Sequence, residues 1–174
     1  MLEIICGHSS WMLCPFCFSV TEKGIGMYLL KTEQSFDSAH FLADYDGKCR
    51  NIHGHEWRVE IEVRRESLDN GGQTRDMLFD FGLLKKDLKK ETDALDHCFI
   101  IEKGSLRRST IEALREERFN IVEFPFRPTA ERLAKYFYDR MSSYGYDVHS
   151  ATVYETPQNC AVYMGEGVQN AGRV

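Results

Sequence analysis

Between Ile52 and Arg65 the chain alternates strictly: Trp57, Val59, Ile61 and Val63 are apolar, while Arg58, Glu60, Glu62 and Arg64 between them are charged. A strand turns successive side chains to opposite faces, so this period of two predicts a half-buried antiparallel strand. An earlier strand begins at Tyr28 and runs toward Phe36. Asp69-Asn70-Gly71-Gly72 is a turn signal and predicts a further strand through Met77, Leu78 and Phe79. The period then changes. Behind Asp80 as a cap, Phe81, Leu84, Leu88, Thr92 and Leu95 share one helical face, with a run of lysines on the other. A shorter helix is predicted over Leu106 to Arg118, as an excursion across the surface, followed by a short strand over Phe119 to Phe124. Pro128-Thr129-Ala130-Glu131 opens a third helix, with Leu133, Phe137 and Met141 on its buried side and its end near Gly145. Val148 to Glu155 and Ala161 to Met164 read as the closing strands. Strands, helices and strands in this order predict an α+β domain, an antiparallel sheet with helices on one face.

Composition narrows the class. The chain has 174 residues, enough for one domain with a short appendage. Residues 1–26 are rich in Cys and Ser and show no clean period, so the domain is placed at 27–174 behind an N-terminal extension. The net charge of −5 comes without a basic arm or stripe, which argues against nucleic acid as the partner. No apolar stretch approaches the roughly 20 residues that span a bilayer, and the N-terminus lacks a basic leader and a clear cleavage site. A cytoplasmic protein with no membrane partner is expected. Its six cysteines then read as reduced thiols, available for metal binding or catalysis. Cys14-Pro15-Phe16-Cys17, with Cys6 and His8 upstream, fits a metal knuckle or a redox pair, but a lone Cys-x-x-Cys is weak support for either.

The chemistry concentrates around His53-Gly54-His55 at the start of the alternating strand. Side chains at i and i+2 share a face, so both imidazoles converge on one point, and Gly54 leaves room for a bend or a close ligand. His40 lies just beyond the first strand and joins the pair if the two strands are neighbours. Three neutral imidazoles with a fourth position open is the donor set of a catalytic zinc. Cys49, four residues before His53, fits either a fourth ligand or a nucleophile or base just outside the shell. A structural site is usually richer in thiolate, which favours the second reading.

Phe36-Asp37-Ser38-Ala39-His40 and Cys49-Arg50-Asn51-Ile52-His53-Gly54-His55 resemble the 6-pyruvoyl-tetrahydropterin synthase and 6-carboxytetrahydropterin synthase family. The likeness continues, in order, through Phe79-Asp80-Phe81, Leu95-Asp96-His97, Pro128-Thr129-Ala130-Glu131 and Tyr154-Glu155-Thr156-Pro157, covering residues 27–165. The spacing of Cys49 from His-Gly-His is similar to the queuosine-pathway branch, the 6-carboxytetrahydropterin synthases. The resemblance implies a tunnelling fold: a four-stranded antiparallel sheet with two main helices on one face. It also implies assembly into barrel-forming homo-oligomers, commonly hexamers of two stacked trimers, with sites between subunits. The implied reaction takes 7,8-dihydroneopterin triphosphate to 6-carboxy-5,6,7,8-tetrahydropterin, acetaldehyde and triphosphate. In it His40, His53 and His55 would hold Zn2+, Cys49 would be the general base, and Asp96 and His97 the complementary acid/base pair. Glu155 would accept hydrogen bonds from the pterin's ring N–H and exocyclic amine, with Thr129 at the same edge. Asp96-His97 also fits a helix end, Thr129 an N-cap, and Glu131 a capping box. Lys48, Arg50, Arg107, Arg108 and Arg127 are candidate triphosphate contacts, none singled out. The stretch of about 30 residues between His97 and Pro128 is longer than compact members carry, and fits a pocket cover or a decoration.

Overall fold

In the computed structural model, residues 26–165 are described; Cys6, His8, Cys14 and Cys17 of the N-terminal extension lie outside them. The alternating segment is a strand over His53–Arg65 (β2), and it pairs antiparallel with a strand over Tyr28–His40 (β1), from Tyr28 opposite Arg65 to His40 opposite His53. Trp57, Val59, Ile61 and Val63 are wholly buried, as their period requires. Two antiparallel strands over Val148–Thr156 (β5) and Asn159–Tyr163 (β6) extend the sheet on the far side of β2.

The expected four-stranded antiparallel sheet is thus present as β1-β2-β5-β6, but it is part of a larger one. Strands over Cys98–Glu102 (β3) and Ile121–Phe124 (β4) join beyond β1, both in parallel pairings, giving six strands in the order β4-β3-β1-β2-β5-β6. The long segment after His97 is therefore a strand–helix–strand unit, its helix spanning Arg108–Glu116 (α2).

Two helices, Phe81–Asp93 (α1) and Ala130–Ser143 (α3), lie over the core face. Leu84 and Leu88 of α1 and Leu133, Phe137 and Met141 of α3 close on Phe36, Trp57 and Val153. Arg140 and Glu91 tie the helices together through two bonds of 2.7 and 2.9 Å, and Tyr144 donates to the same carboxylate at 2.6 Å. The third helix is elsewhere. In β3, Ile100 enters the main core while Ile101, facing the other way, packs with Ile111 of α2 and Phe41. This puts α2 on the opposite face, at the β3–β4 edge.

Three local expectations change. No strand forms at Met77–Phe79: Leu78 alone is buried there, and turn bonds from Asp69 N–H to the Met77 carbonyl and from Asp76 N–H to the Asp69 carbonyl take up the backbone. Phe81 is exposed although its helical face is buried further along. Thr129 is the N-cap of α3, which leaves Glu131 one position short of where a capping box closes.

Candidate metal centre and the hollows around it

The β1–β2 register brings three imidazoles together. His40 ends β1 opposite His53, and Ser38 stands opposite His55, so all three rings lie on the core face at one end of the sheet. Val153 pairs with Val59, which carries Glu155, two residues on, to the same face. One donor atom from each of His40, His53, His55 and Glu155 falls within 4.8 Å of the others.

The hydrogen bonds fix what two rings present to this centre. His40 Nδ1 lies 2.9 Å from the Pro128 carbonyl and His53 Nδ1 lies 2.8 Å from the Asn51 carbonyl. A carbonyl only accepts, so both rings carry their proton at Nδ1. Their Nε2 lone pairs then face each other at 3.1 Å with no hydrogen between them. Two acceptors so close repel unless a cation lies among them. His55 Nε2 is also buried without a hydrogen-bond partner. Glu155 Oε1 completes the ring of acceptors, 3.5 Å from His40 Nε2 and 3.7 Å from His55 Nε2. Burial lowers the His40 pKa to about 4, and burial likewise lowers that of His55, so both rings are neutral donors at pH 7. Trp57, wholly buried, backs the cluster with its ring centroid 5.0 Å from that of His40. Three oriented imidazoles and a carboxylate fit a zinc-like divalent ion.

Cys49 lies in a short 3-10 turn over Lys48–Arg50, held by a 2.8 Å bond from Leu42 N–H to the Cys49 carbonyl. It lines a hollow of about 320 Å³ together with Tyr45, Thr129, Glu131 and Glu155. Thr129 is the N-cap, accepting the Arg132 N–H at 3.4 Å, and it also lines this hollow. Cys49, Thr129 and Glu155 are therefore brought together, beside the metal cluster.

Asp96 and His97 are not part of that hollow. Asp96 Oδ2 accepts from His97 Nδ1 at 2.8 Å, and Asp96 Oδ1 accepts the Asp37 N–H at 2.8 Å. The Asp37 N–H and the His97 bond hold the Asp96 carboxyl below its usual range, and the same carboxylate raises His97. His97 has φ 54 and donates its backbone N–H to the Asp37 carbonyl at 2.7 Å. A left-handed histidine is uncommon, and such backbones cluster at functional sites. His97 lines a second, more open hollow of about 520 Å³ with Asp37, Gly54, His55 and Phe119.

Several lining residues were not anticipated. Phe119 comes from the strand–helix–strand unit, and nothing local in the sequence says that this segment folds back beside His97. Tyr154 and Arg58 line a third hollow with Glu155 and Gly54, the Arg58 guanidinium stacked 3.7 Å from the Tyr154 ring centre. Gly54 borders both of the last two hollows; a Cβ there would meet ordinary contacts, so its bare surface opens the site rather than relieving a clash. Of the candidate phosphate contacts, Lys48 and Arg50 flank Cys49, and Arg108 is paired with Glu112 at 2.7 Å.

Residues 29–166 match the family model described as 6-pyruvoyl tetrahydropterin synthase. A 6-carboxy-5,6,7,8-tetrahydropterin synthase of Haemophilus influenzae is 36% identical over 142 residues, covering 79% of this chain and 99% of the relative. One from Synechocystis is 32% identical over 126 residues, covering 67% and 98%. Among solved structures, an uncharacterized protein from Wolinella succinogenes superposes with a TM-score of 0.64 at 23% identity, covering 80% of this chain and 99% of that one. A 6-pyruvoyl tetrahydropterin synthase of Caenorhabditis elegans gives 0.58 at 23% identity, covering 81% and 97%. At these identities the structures establish a shared fold.

Proposed function

The chain belongs to the 6-pyruvoyl tetrahydropterin synthase family, and from that premise we propose that it is a cytoplasmic, zinc-dependent 6-carboxy-5,6,7,8-tetrahydropterin synthase. It converts 7,8-dihydroneopterin triphosphate and water to 6-carboxytetrahydropterin, acetaldehyde and triphosphate, supplying queuosine or another deazapurine. The domain spans 27–174, with 1–26 as an extension. The observation that carries this reading is the pair of opposed, unprotonated Nε2 atoms of His40 and His53 beside the unpartnered Nε2 of His55.

Zinc held by these three rings would act as a Lewis acid toward oxygens of the substrate side chain. Cys49, in the adjoining hollow, takes a proton from that side chain as general base. His97 returns one from Nε2, since Asp96 holds the proton on Nδ1 and stabilises the charged ring. Glu155 and Thr129 accept the donors at the pterin's edge, a carboxylate matching two adjacent N–H groups. Cys49 and His97 line separate hollows within one chain, so the working enzyme is a homo-oligomer in which one copy's His97 completes a neighbour's Cys49 hollow.

Relatives named for the 6-carboxy activity and the Cys49 spacing favour this product over the 6-pyruvoyl one. Incubating zinc-loaded protein with dihydroneopterin triphosphate and weighing the pterin products decides the matter. A 6-carboxy product with acetaldehyde is expected. A 6-pyruvoyl product would move the chain to the sister activity, and no conversion by an intact, zinc-loaded oligomer would refute the assignment.

A further inference from the structure

We propose that Glu155 is the fourth metal ligand of the substrate-free centre and that the pterin ring draws it off, so that one carboxylate closes the site at rest and opens it on binding. The proposal rests on the pterin reading given above and deepens it.

Three observations carry it. The first is spacing. Metal–ligand bonds of 2.0–2.2 Å in a tetrahedron put neighbouring ligand atoms about 3.3–3.6 Å apart. Here His40 Nε2 to His53 Nε2 is 3.1 Å, His40 Nε2 to Glu155 Oε1 is 3.5 Å, and His55 Nε2 to Glu155 Oε1 is 3.7 Å. Glu155 therefore stands to His40 and His55 at nearly the separation at which His40 stands to His53, as a member of the set and not a neighbour of it. Those separations are too long for a strong hydrogen bond to either ring, and His40 presents a bare lone pair, so without a cation the carboxylate faces electron-rich nitrogen.

The second is the backbone. In the β5–β6 ladder Tyr154 pairs with Cys160 and Thr156 with Asn159, leaving Glu155 as the residue passed over where the register shifts. A bulge frees its residue from pairing on that side, a device common beside active sites. The third is position. The Glu155 side chain remains one-third exposed and lines both the Cys49 hollow and the one formed with Gly54 and Tyr154. A ring in the Cys49 hollow meets the carboxylate in a lining that includes none of the three imidazoles, and in the other hollow it meets Glu155 beside His55.

Each role alone leaves something unexplained. A permanent fourth ligand would fill the position that substrate oxygens need. A carboxylate serving only the pterin has no reason to stand at ligand spacing from two histidines. Exchange accounts for both: Glu155 Oε1 leaves the metal as it accepts the ring's N–H donors, and a water or side-chain oxygen enters the vacated position. No bond other than the coordinate one is broken.

Cobalt(II), whose visible spectrum reports coordination, replaces zinc for the test, and pterin itself, lacking side chain and phosphates, is the probe. In the wild-type protein pterin is expected to change the four-coordinate spectrum. Metal affinity should fall in saturating pterin by the same factor by which pterin affinity falls on metal loading, since coupling is reciprocal. Glu155→Gln should lower metal affinity by at least about tenfold, the loss known even for groups outside the coordination shell. Its cobalt spectrum should already resemble the pterin-bound wild type. The linkage measurement needs no variant, so a folding defect in Glu155→Gln does not remove the test. Unchanged metal affinity in Glu155→Gln, with dihydroneopterin triphosphate still converted by the wild type, would overturn this inference and leave the function standing. A Glu155-dependent spectrum that no pterin perturbs would refute the exchange and count against a pterin substrate as well.

Discussion

Cys49 and His53 are four residues apart, yet they sit in different surroundings, and substitution should separate their proposed roles. His53 spends its Nδ1–H on the Asn51 carbonyl and has only Nε2 to offer the centre. His53→Ala should therefore yield protein depleted of metal, read by elemental analysis. Cys49 is absent from the donor cluster and faces the adjoining hollow. Cys49→Ala should keep metal and fold but lose turnover by at least about a hundredfold, the scale of a general base; metal loss in that variant would return Cys49 to the ligand set. Asp96 and His97 allow a pH argument. The carboxylate raises His97, so in the wild type its imidazolium persists above the ordinary 6.5 and is lost as pH rises through the elevated value. Asp96→Asn removes that support. The His97 titration followed by NMR, and with it the alkaline limb of the rate profile, should move to lower pH. The convergence of His53 and His55 was legible because i and i+2 on a strand must share a face. Its completion was less so. That His40 belongs at the end of β1, and not past it, follows from a register that only the two strands together define.

At the scale of elements, legibility tracks how many faces a strand buries. Strand β2 buries one, so its alternation is plain. Strand β3 buries both, Ile100 into the main core and Ile101 beneath α2, and a strand packed on both sides has no period to read. Strand β3 was invisible for that reason; β4 was legible as a short strand, but without β3 its parallel place in the sheet was not, and the exposed face of α2 resembled surface decoration. This unit nonetheless places Phe119 at the hollow beside His97, although the residue is 59% exposed. Phe119→Ala should raise KM for the proposed substrate while leaving metal content and melting temperature within error. An unchanged KM would reduce the unit to a structural extension. The α1–α3 contact makes a stability prediction. Glu91 is 4% exposed and bound by Arg140 and Tyr144, and Arg140 holds its pKa down. Arg140→Ala leaves that carboxylate buried with one partner. The loss should be about 2 kcal/mol, below the range for a fully buried pair because the Arg140 side chain is 46% exposed. Urea midpoints measure it. In the wild type this contribution is present above the ordinary carboxylate pKa and is lost as pH falls through the lowered one.

The whole molecule has a face and edges that one chain leaves unfinished. Strand β6 is an edge of the sheet, with Val162 and the neighbouring Met164 exposed, and Tyr28 and Leu29 are exposed at the start of β1. Exposed apolar edges invite pairing with another copy. Across the sheet from α1 and α3, charged side chains are already satisfied among themselves: Lys31 with Glu60 and Glu62, Arg58 with Glu33 and Glu60. That face can be enclosed by neighbours without stranding charge. Assembly also has a chemical motive, because Cys49 and His97 open into different hollows. If a second copy supplies the missing half, two inactive variants should rescue each other. Cys49→Ala and His97→Ala proteins, dissociated together and reassembled, would form mixed oligomers in which about a quarter of the sites carry both an intact Cys49 and an intact His97, as random pairing at a repeated interface requires. Activity should recover toward that fraction of the wild-type value, and reassembly of either variant alone should recover none. Mixed oligomers that form but stay inactive would mean that each chain supplies its own Cys49 and His97. The pair would then have to meet by a movement of the loop carrying Cys49 or of the turn carrying His97, and association would serve only to cover the edges.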